Sequence, residues 1–453
     1  MADPHGANQE VALITASELA VALETDEPPL VLEAVMGGAA PGASFVPGAV
    51  LLDLVAIDVY EETPDGSPLP SDGNYCLRPS DALRKALEQH GVRADRRCVV
   101  YTQCRRHTQT ARATGMRGHH HRYRPAAERE GVADPIVAAR LVWCLAYAGV
   151  ERVALLDGGM SSWRALGLPT RDVPASSQAA DFYAGRVTES RFPRHPEFCA
   201  TAEEVAAGAP ALLLGDVRSW SEFRGDGHDY AYELPHGRIP GSHWARWGPS
   251  TFVGSDYYEL SSGALRPLAE VAATWRRAGL LPATTEDAGG ADASAERARL
   301  VFYCGSGWRS SLAWLYARLM GHRDVASFDG SLLGWSADPA RPLVCGDPGE
   351  GTTTVVPRGA RPLAGQPQPA LGWAVCAAAC EDSFDDGPAG RQQERQRQRE
   401  RRAAAAAADQ KARQQQHTGG TGAGAGGGAP AAAGGGRLQP QAQPTGVPDR
   451  TAP

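Results

Sequence analysis

Residues from about Thr15 to Val344 contain one long, divergent duplication, and a chain that repeats itself on this scale must fold as two copies of one unit. Thr15-Ala-Ser-Glu18-Leu-Ala returns as Thr201-Ala-Glu-Glu204-Val-Ala. Each carries the T-x-x-E pattern in which the threonine and the glutamate satisfy the free N–H groups at a helix start. The apolar run Leu30 to Val35 matches Leu212 to Val217, a short buried strand in each case. Phe45-Val-Pro47-Gly48-Ala matches Arg238-Ile-Pro240-Gly241-Ser, a turn leading into the next strand. The strand Cys98 to Thr102 aligns with Leu300 to Cys304, and each is followed by a helix that stops at a glycine, Gly149 or Gly321. From those glycines the spacing is equal, to Asp157-Gly-Gly and Trp163 in one repeat and to Asp329-Gly-Ser and Trp335 in the other.

Strands alternating with helices imply parallel βαβ units. The expected fold class is α/β, with two small domains, each a parallel sheet with helices on both faces. Residues 10–172 form the first and 197–345 the second, joined by a polar linker over 173–196. The repeats differ in one place: Thr102 to Asp157 spans 55 positions and Cys304 to Asp329 only 25, so the first carries about 30 extra residues. That segment, Cys104 to Val132, is rich in Arg and His and has no apolar periodicity, which reads as a solvated loop. Its triplet His119 to His121 lacks the fixed framework of a metal site. A smaller Gly/Ala/Asp insertion, Thr284 to Ala298, reads as a surface loop in the second repeat. Residues 346–453 turn to low complexity, with one charged patch, 391–416, that favours a solvated helix by propensity and offers no apolar stripe. From residue 418 the composition is that of a disordered tail.

A net charge of -7 gives no attraction to nucleic acid or to anionic membranes. No apolar run approaches the roughly 18 residues of a membrane span, and residues 1–10 show neither a secretory nor a transit pattern. The expectation is a cytoplasmic protein, with organellar import left open. Nine scattered cysteines suit a reduced intracellular set better than a disulfide framework, and the pair Cys376 and Cys380 lacks the further ligands of a zinc site.

One cysteine stands apart. Cys304-Gly305-Ser306-Gly307-Trp308-Arg309 lies between the strand Leu300 to Tyr303 and a helix with apolar positions Leu312, Leu315, Tyr316 and Leu319. A cysteine at such a junction meets free backbone N–H groups and the positive end of the helix dipole, and both favour the thiolate. Gly305 and Gly307 let the backbone curl around the sulfur as an anion-binding nest, and Arg309 adds a positive charge where an incoming oxyanion would sit. Buried cysteines at strand ends are most often inert, but the small polar neighbours and the arginine five positions on argue for chemistry here.

With its Ile239-Pro240-Gly241 turn, its loop from Cys304 and its closing Asp329-Gly330 to Trp335 segment, the chain resembles the rhodanese superfamily. The likeness is to the two-domain thiosulfate and 3-mercaptopyruvate sulfurtransferases, over about three quarters of the chain. The resemblance implies that Cys304 is catalytic and cycles between thiolate and persulfide, and that Gly305, Ser306, Gly307, Trp308 and Arg309 bind substrate. The first repeat, with Thr102 at the matching position, would be a silent duplicate. It also implies no metal and no organic cofactor, a small-molecule sulfur donor, and cyanide or a thiol such as thioredoxin or glutathione as acceptor. The opening Cys-Gly-Ser-Gly resembles mercaptopyruvate-type loops, whereas Trp308-Arg309 departs from their Val-Thr. Thiosulfate users often carry an anion-binding arginine six residues after the aspartate of an Asp-x-Arg motif. Asp216 and Arg218 match that motif, but the later position is Glu222. By spacing, Arg218 and Glu222 are expected to pair with each other, leaving Arg309 to supply the lost charge. The rival readings are a cysteine phosphatase or arsenate reductase, whose loop would be one residue longer, and a non-enzymatic persulfide carrier or binding module.

Overall fold

The computed structural model describes residues 10–39, 42–60, 75–103, 135–184, 192–208, 212–228, 234–251, 253–282, 298–350 and 354–356. The insertion expected at Cys104 to Val132, all but the last residue of the one expected at Thr284 to Ala298, the charged patch at 391–416 and the tail from 418 lie outside them.

The duplication is visible in the sheets. The first repeat runs β1 (Glu10–Ile14), α1 (Ala16–Leu23), β2 (Leu30–Val35), β3 (Val50–Asp53), α2 (Ser80–Gln89), β4 (Cys98–Tyr101), α3 (Pro135–Ala148), β5 (Arg152–Leu156) and α4 (Gly159–Ala165). The second runs β6 (Cys199–Ala200), α5 (Ala202–Ala207), β7 (Leu212–Asp216), α6 (Trp220–Arg224), β8 (His243–Trp244), α7 (Leu268–Arg277), β9 (Arg299–Tyr303), α8 (Trp308–Leu319), β10 (Val325–Phe328) and α9 (Ser331–Trp335). Strand orders are β1-β5-β4-β2-β3 and β6-β10-β9-β7-β8, the same path taken twice, and every pairing within the two sheets is parallel. A short antiparallel pair, β11 (Leu343–Cys345) with β12 (Thr354–Val356), carries strand pairing beyond residue 345.

Alternating side chains send each sheet's residues into two cores. Val31, Val99, Tyr101, Ala154 and Leu156 pack with Leu19, Met160 and Trp163 on the outer face of the first sheet. Val301, Tyr303, Ala326 and Phe328 pack with Val205, Leu332 and Trp335 on the outer face of the second. The inner faces share one large core, in which Leu32, Val100 and Leu155 from one sheet and Leu300, Phe302 and Val325 from the other cover α2, α3, α7 and α8. Helices therefore lie on both faces of each sheet, as expected, and α3 and α8 are packed directly against each other. Both helices are buried nearly all round because both flanks are covered, α3 with an almost wholly apolar sequence and α8 with Arg309, Ser310 and Ser311 buried in its first turn. Trp143 and Trp314 are fully buried there with their indole N–H groups on Phe198 O and Val325 O, and truncating either to alanine costs about 3–5 kcal/mol.

The strand match between repeats is one residue off the sequence expectation. Glu33 pairs with Tyr101 across β2 and β4, and Asp216 with Tyr303 across β7 and β9, so Glu33 is the partner of Asp216 and Leu30 that of Leu213. What fixes this register is polar: Tyr101 donates to Glu33 (2.8 Å) while accepting the Val46 N–H, and Tyr303 donates to Asp216 (2.6 Å) while accepting the Ile239 N–H. Both hydroxyls thereby hold the Pro-Gly turn that follows, in which Gly48 and Gly241 both have φ 76°. Leu77-Arg78-Pro79 and Leu265-Arg266-Pro267 are a further repeated segment, just ahead of α2 and α7. Residues 173–184 lie along the first repeat, with Phe182 buried and its carbonyl accepting the Ala94 N–H.

Candidate active site

Strand β9 is buried and ends at Tyr303; four residues separate it from α8, the last of them Gly307, the N-cap, in the left-handed region at φ 84°. A side chain there would be strained by that backbone and would also collide with Asp329, since a Cβ would stand 2.5 Å from its carbonyl oxygen. The glycine is thus what lets the loop close onto the end of β10. Cys304 sits inside the curl, only 1% exposed. Its own backbone is clamped from the other side: Cys304 N–H donates to Ser331 Oγ (3.1 Å), and the N–H groups of Leu332 and Leu333 donate to Cys304 O and Gly305 O. Ser331 Oγ lies 4.0 Å from the sulfur.

Burial by itself would raise the Cys304 thiol, but the Arg309 charge and the backbone N–H groups of Ser310, Ser306 and Arg309 outweigh it and hold its pKa below the ordinary thiol value. The other described cysteines move the opposite way: burial pushes Cys98 and Cys199 up to about 12, and raises Cys76, Cys144 and Cys345 as well. Ser310 and Ser311 return their hydroxyls to Gly307 O at 2.9 Å each, and Ser310 also meets Ser327, which anchors the first turn of α8. Gly305 is buried, whereas Ser306 and Trp308 are half-buried, so they form the more accessible side of the loop. Trp308 packs against the shared core, and its indole N–H has no hydrogen-bond partner among the described residues.

Arg309 is where the structure departs most from the sequence expectation. Its guanidinium is buried and forms two hydrogen bonds with Glu222, at 2.9 and 3.0 Å, and a third with Thr251 O. Arg218 does not pair with Glu222; it folds back on Asp216 through two hydrogen bonds (2.8 and 2.6 Å) and reaches Gly237 O. The i,i+4 rule fails because Arg218 precedes α6 rather than lying on it. Glu222 is the third residue of that helix and completes a capping box with Ser219. The S-x-x-E spacing of Ser219 and Glu222 was a signal in the sequence for that geometry. Burial would raise the Glu222 carboxyl, but Arg309 and then Arg218 hold it down to about 2. Arg309 is therefore a charge already partnered by a carboxylate, a different thing from a bare cation awaiting an oxyanion.

Two further residues, Arg140 and Asp58, are not marked by the sequence motifs, and Asp329 enters there only as part of the closing segment. Arg140, fully buried on α3, joins Asp58 of its own repeat (2.8 and 3.1 Å) to Asp329 of the other (2.6 Å). Thr102, the counterpart of Cys304, is buried at the end of β4 with its carbonyl accepting the Met160 N–H. Among the described residues there is no cluster of three or more His, Cys, Asp or Glu that could hold a metal ion, and no helix long and apolar enough to cross a membrane.

The Rhodanese-like domain family model matches residues 201–338, the range that contains Cys304 and its loop, Glu222 and Asp329. Thiosulfate sulfurtransferase YnjE of Escherichia coli K12 is 28% identical over 276 residues, covering 59% of this chain and 51% of that protein. The chain thus spans about half the length of that relative. Putative thiosulfate sulfurtransferase SseB of Mycobacterium tuberculosis is 27% identical over 344 residues and matches 73% of this chain and 96% of its own length. Among solved structures, EanB captured with a cysteine persulfide and ergothioneine is 27% identical with a TM-score of 0.57, covering 76% of this chain and 72% of that one. Putative thiosulfate sulfurtransferase 1 of Mycobacterium bovis is 31% identical over 216 residues, 46% of this chain and 67% of that protein, and together with the matched second repeat and the near full-length SseB match it means that the chain belongs to the two-domain rhodanese family.

Proposed function

We propose that the chain is a sulfurtransferase that carries a sulfane sulfur on Cys304 between a small-molecule donor and a thiol or cyanide acceptor. The observation that supports this most is the convergence of the Ser306, Arg309 and Ser310 N–H groups on one buried sulfur, with its pKa lowered. The thiolate attacks the outer sulfur of thiosulfate, the S–S bond breaks, and sulfite leaves with the electron pair; the enzyme keeps a persulfide. With 3-mercaptopyruvate the C–S bond breaks instead, and pyruvate leaves after taking up a proton. The same N–H groups stabilise the terminal negative sulfur of the persulfide. Cyanide, or a thiol such as thioredoxin or glutathione, then removes that sulfur as thiocyanate or as a new persulfide and restores the thiolate. No step calls on a metal or organic cofactor. Gly305, Ser306, Gly307, Trp308 and Arg309 shape the donor site, with Arg309 acting through its field on the sulfur, because its own hydrogen bonds go to Glu222 and Thr251. That pairing also argues against a phosphatase, which needs its arginine free for two phosphate oxygens.

The test is intact mass. Reduced protein is incubated separately with thiosulfate, 3-mercaptopyruvate and an aryl phosphate, and weighed before and after cyanide. The expected result is gain of one sulfur from at least one of the two donors, reversed by cyanide and absent in Cys304→Ser. No sulfur gain from either donor, or turnover of the phosphate ester alone, overturns the proposal.

A further inference from the structure

The Cys304 loop rests on the segment from Asp329 to Leu333. Gly307 lies against Asp329, Cys304 N–H is taken by Ser331 Oγ, and Leu332 and Leu333 donate to the carbonyls of Cys304 and Gly305. This segment is itself unusual: Ser331 is fully buried with φ 49°, a left-handed conformation that a serine holds only when its surroundings impose it. Part of what imposes it comes from the first repeat. Asp329 Oδ1 takes Arg140 Nη1 at 2.6 Å, and Asp329 Oδ2 takes the Leu77 N–H at 2.8 Å. Arg140 is held in turn by both oxygens of Asp58 and by Tyr75 O, with its guanidinium over the Trp143 ring. With Nε and Nη2 of the planar fork fixed at three points, its Nη1 end is aimed at Asp329.

The reverse direction is weaker. Asp157, the counterpart of Asp329, takes the Leu265 N–H at 2.8 Å, which mirrors the Leu77 contact. Counting from the matching helix ends at Gly149 and Gly321, the counterpart of Arg140 is Leu312, which has no guanidinium to offer Asp157. At this pair of positions the added clamp goes to the repeat that carries the cysteine.

We infer that Arg140 is a positioning residue for Cys304, through which the repeat without a nucleophile holds the loop of the repeat that has one. The role of Cys304 rests on the proposed function; the placement of its loop does not. If Arg140 is removed, Asp329 loses its strongest partner, the Ser331 turn relaxes, and the backbone N–H groups of the loop no longer converge on the sulfur. Arg309 on α8, with Glu222 behind it, and Asp329 at the end of β10 lie around the Cys304 loop, and of these Arg140 touches Asp329 directly.

The experiment uses the full chain with Arg140→Lys, Arg140→Met and Asp329→Asn, with Trp163→Leu as a control that weakens the outer core of the first repeat. The rate of Cys304 alkylation by iodoacetamide is followed against pH with the site mapped by peptide mass, and cooperative thermal unfolding verifies the fold. The expected result is an alkylation midpoint raised by about one pH unit in Arg140→Met, a tenfold loss of thiolate below the midpoint, with Trp163→Leu unchanged. Arg140→Lys keeps the charge without the fork and is expected to recover only part of the shift. A folded Arg140→Met with the wild-type profile overturns the inference, as does an equal shift in Trp163→Leu. Should Arg140→Met not fold, Arg140→Lys and Asp329→Asn decide by the same criterion. Alkylation needs no sulfur donor, so a wild-type protein that takes up no sulfur would sink the proposed function and leave this result standing.

Discussion

Glu222 and Arg309 face each other through two hydrogen bonds of 2.9 and 3.0 Å, although 87 positions separate them in the chain. The pair is buried, so each charge needs the other, and the carboxylate also moderates the field that Arg309 exerts on Cys304. Two substitutions are expected to act in opposite directions. Arg309→Met removes the leading influence that favours the thiolate, so the Cys304 alkylation midpoint should rise. Glu222→Gln removes the negative charge behind the arginine while still capping α6, so the midpoint should fall. Either change breaks a buried ion pair and should cost about 3–5 kcal/mol in urea unfolding, with Glu222→Gln nearer the lower figure. Midpoints that move in the same direction would refute this electrostatic account.

The same carboxylate predicts an acid limit. Glu222 is held down to about 2 in the folded chain and returns to an ordinary value near 4.5 when unfolded. A depressed folded pKa means stability that is present in full above the unfolded value and lost as pH falls through the folded one. Wild type should therefore lose stability between about pH 4.5 and 2 beyond the loss seen in Glu222→Gln. Urea midpoints measured for both proteins across that window check it; parallel curves would show that Glu222 is not responsible.

The duplication, the strand-loop-helix junction at Cys304 and the paired glycine stops were legible because each is local in sequence. Thr15 and Glu18 form the full reciprocal cap, for instance, whereas in the second repeat only the Thr201 half is seen and Glu204 pairs with Arg299 instead. What was not legible is long-range and polar. Nothing in the spacing of Arg140, 189 positions before Asp329, says that the two meet. The one-residue error in matching Leu30 with Leu212 arose because apolar runs look alike in either register, while the tyrosine-to-carboxylate bonds that choose one do not appear in hydrophobicity. Arg218 was misassigned for a similar reason, because a spacing rule for helices was applied to a residue that lies outside one.

Gly307 offers a sharp comparison with Gly321. Both have positive φ, at 84° and 91°, but a Cβ on Gly307 would meet Asp329 at 2.5 Å, whereas one on Gly321 has nothing within 4 Å. Gly321→Ala should cost only the backbone strain of about 1 kcal/mol in thermal or urea unfolding, with the Cys304 alkylation rate unchanged. Gly307→Ala must also move Asp329 or the loop, so it should cost at least twice as much and slow alkylation about tenfold. Equal effects of the two substitutions on alkylation would argue against the close approach at Gly307.

Thr102 tests whether a strand end alone makes a reactive cysteine. Its carbonyl takes the Met160 N–H at 3.1 Å just as Cys304 O takes that of Leu332, so the backbone at the two strand ends is alike. The helix starts are not. Counted from Gly149, Pro135 stands where Gly307 does, and its ring excludes the left-handed φ of 84° that Gly307 takes; Val137 stands in place of Arg309 and carries no charge. Burial without these compensations should raise a thiol placed there, as it does for Cys98 on the same strand, which is pushed up to about 12. The double variant Thr102→Cys/Cys304→Ser is therefore expected to gain no sulfur from thiosulfate or 3-mercaptopyruvate, and to alkylate at position 102 at least about tenfold more slowly at pH 7 than wild type does at Cys304. Uptake of a cyanide-labile sulfur by that variant would mean that the strand end suffices, and that the arginine and the loop N–H groups are not what activates Cys304.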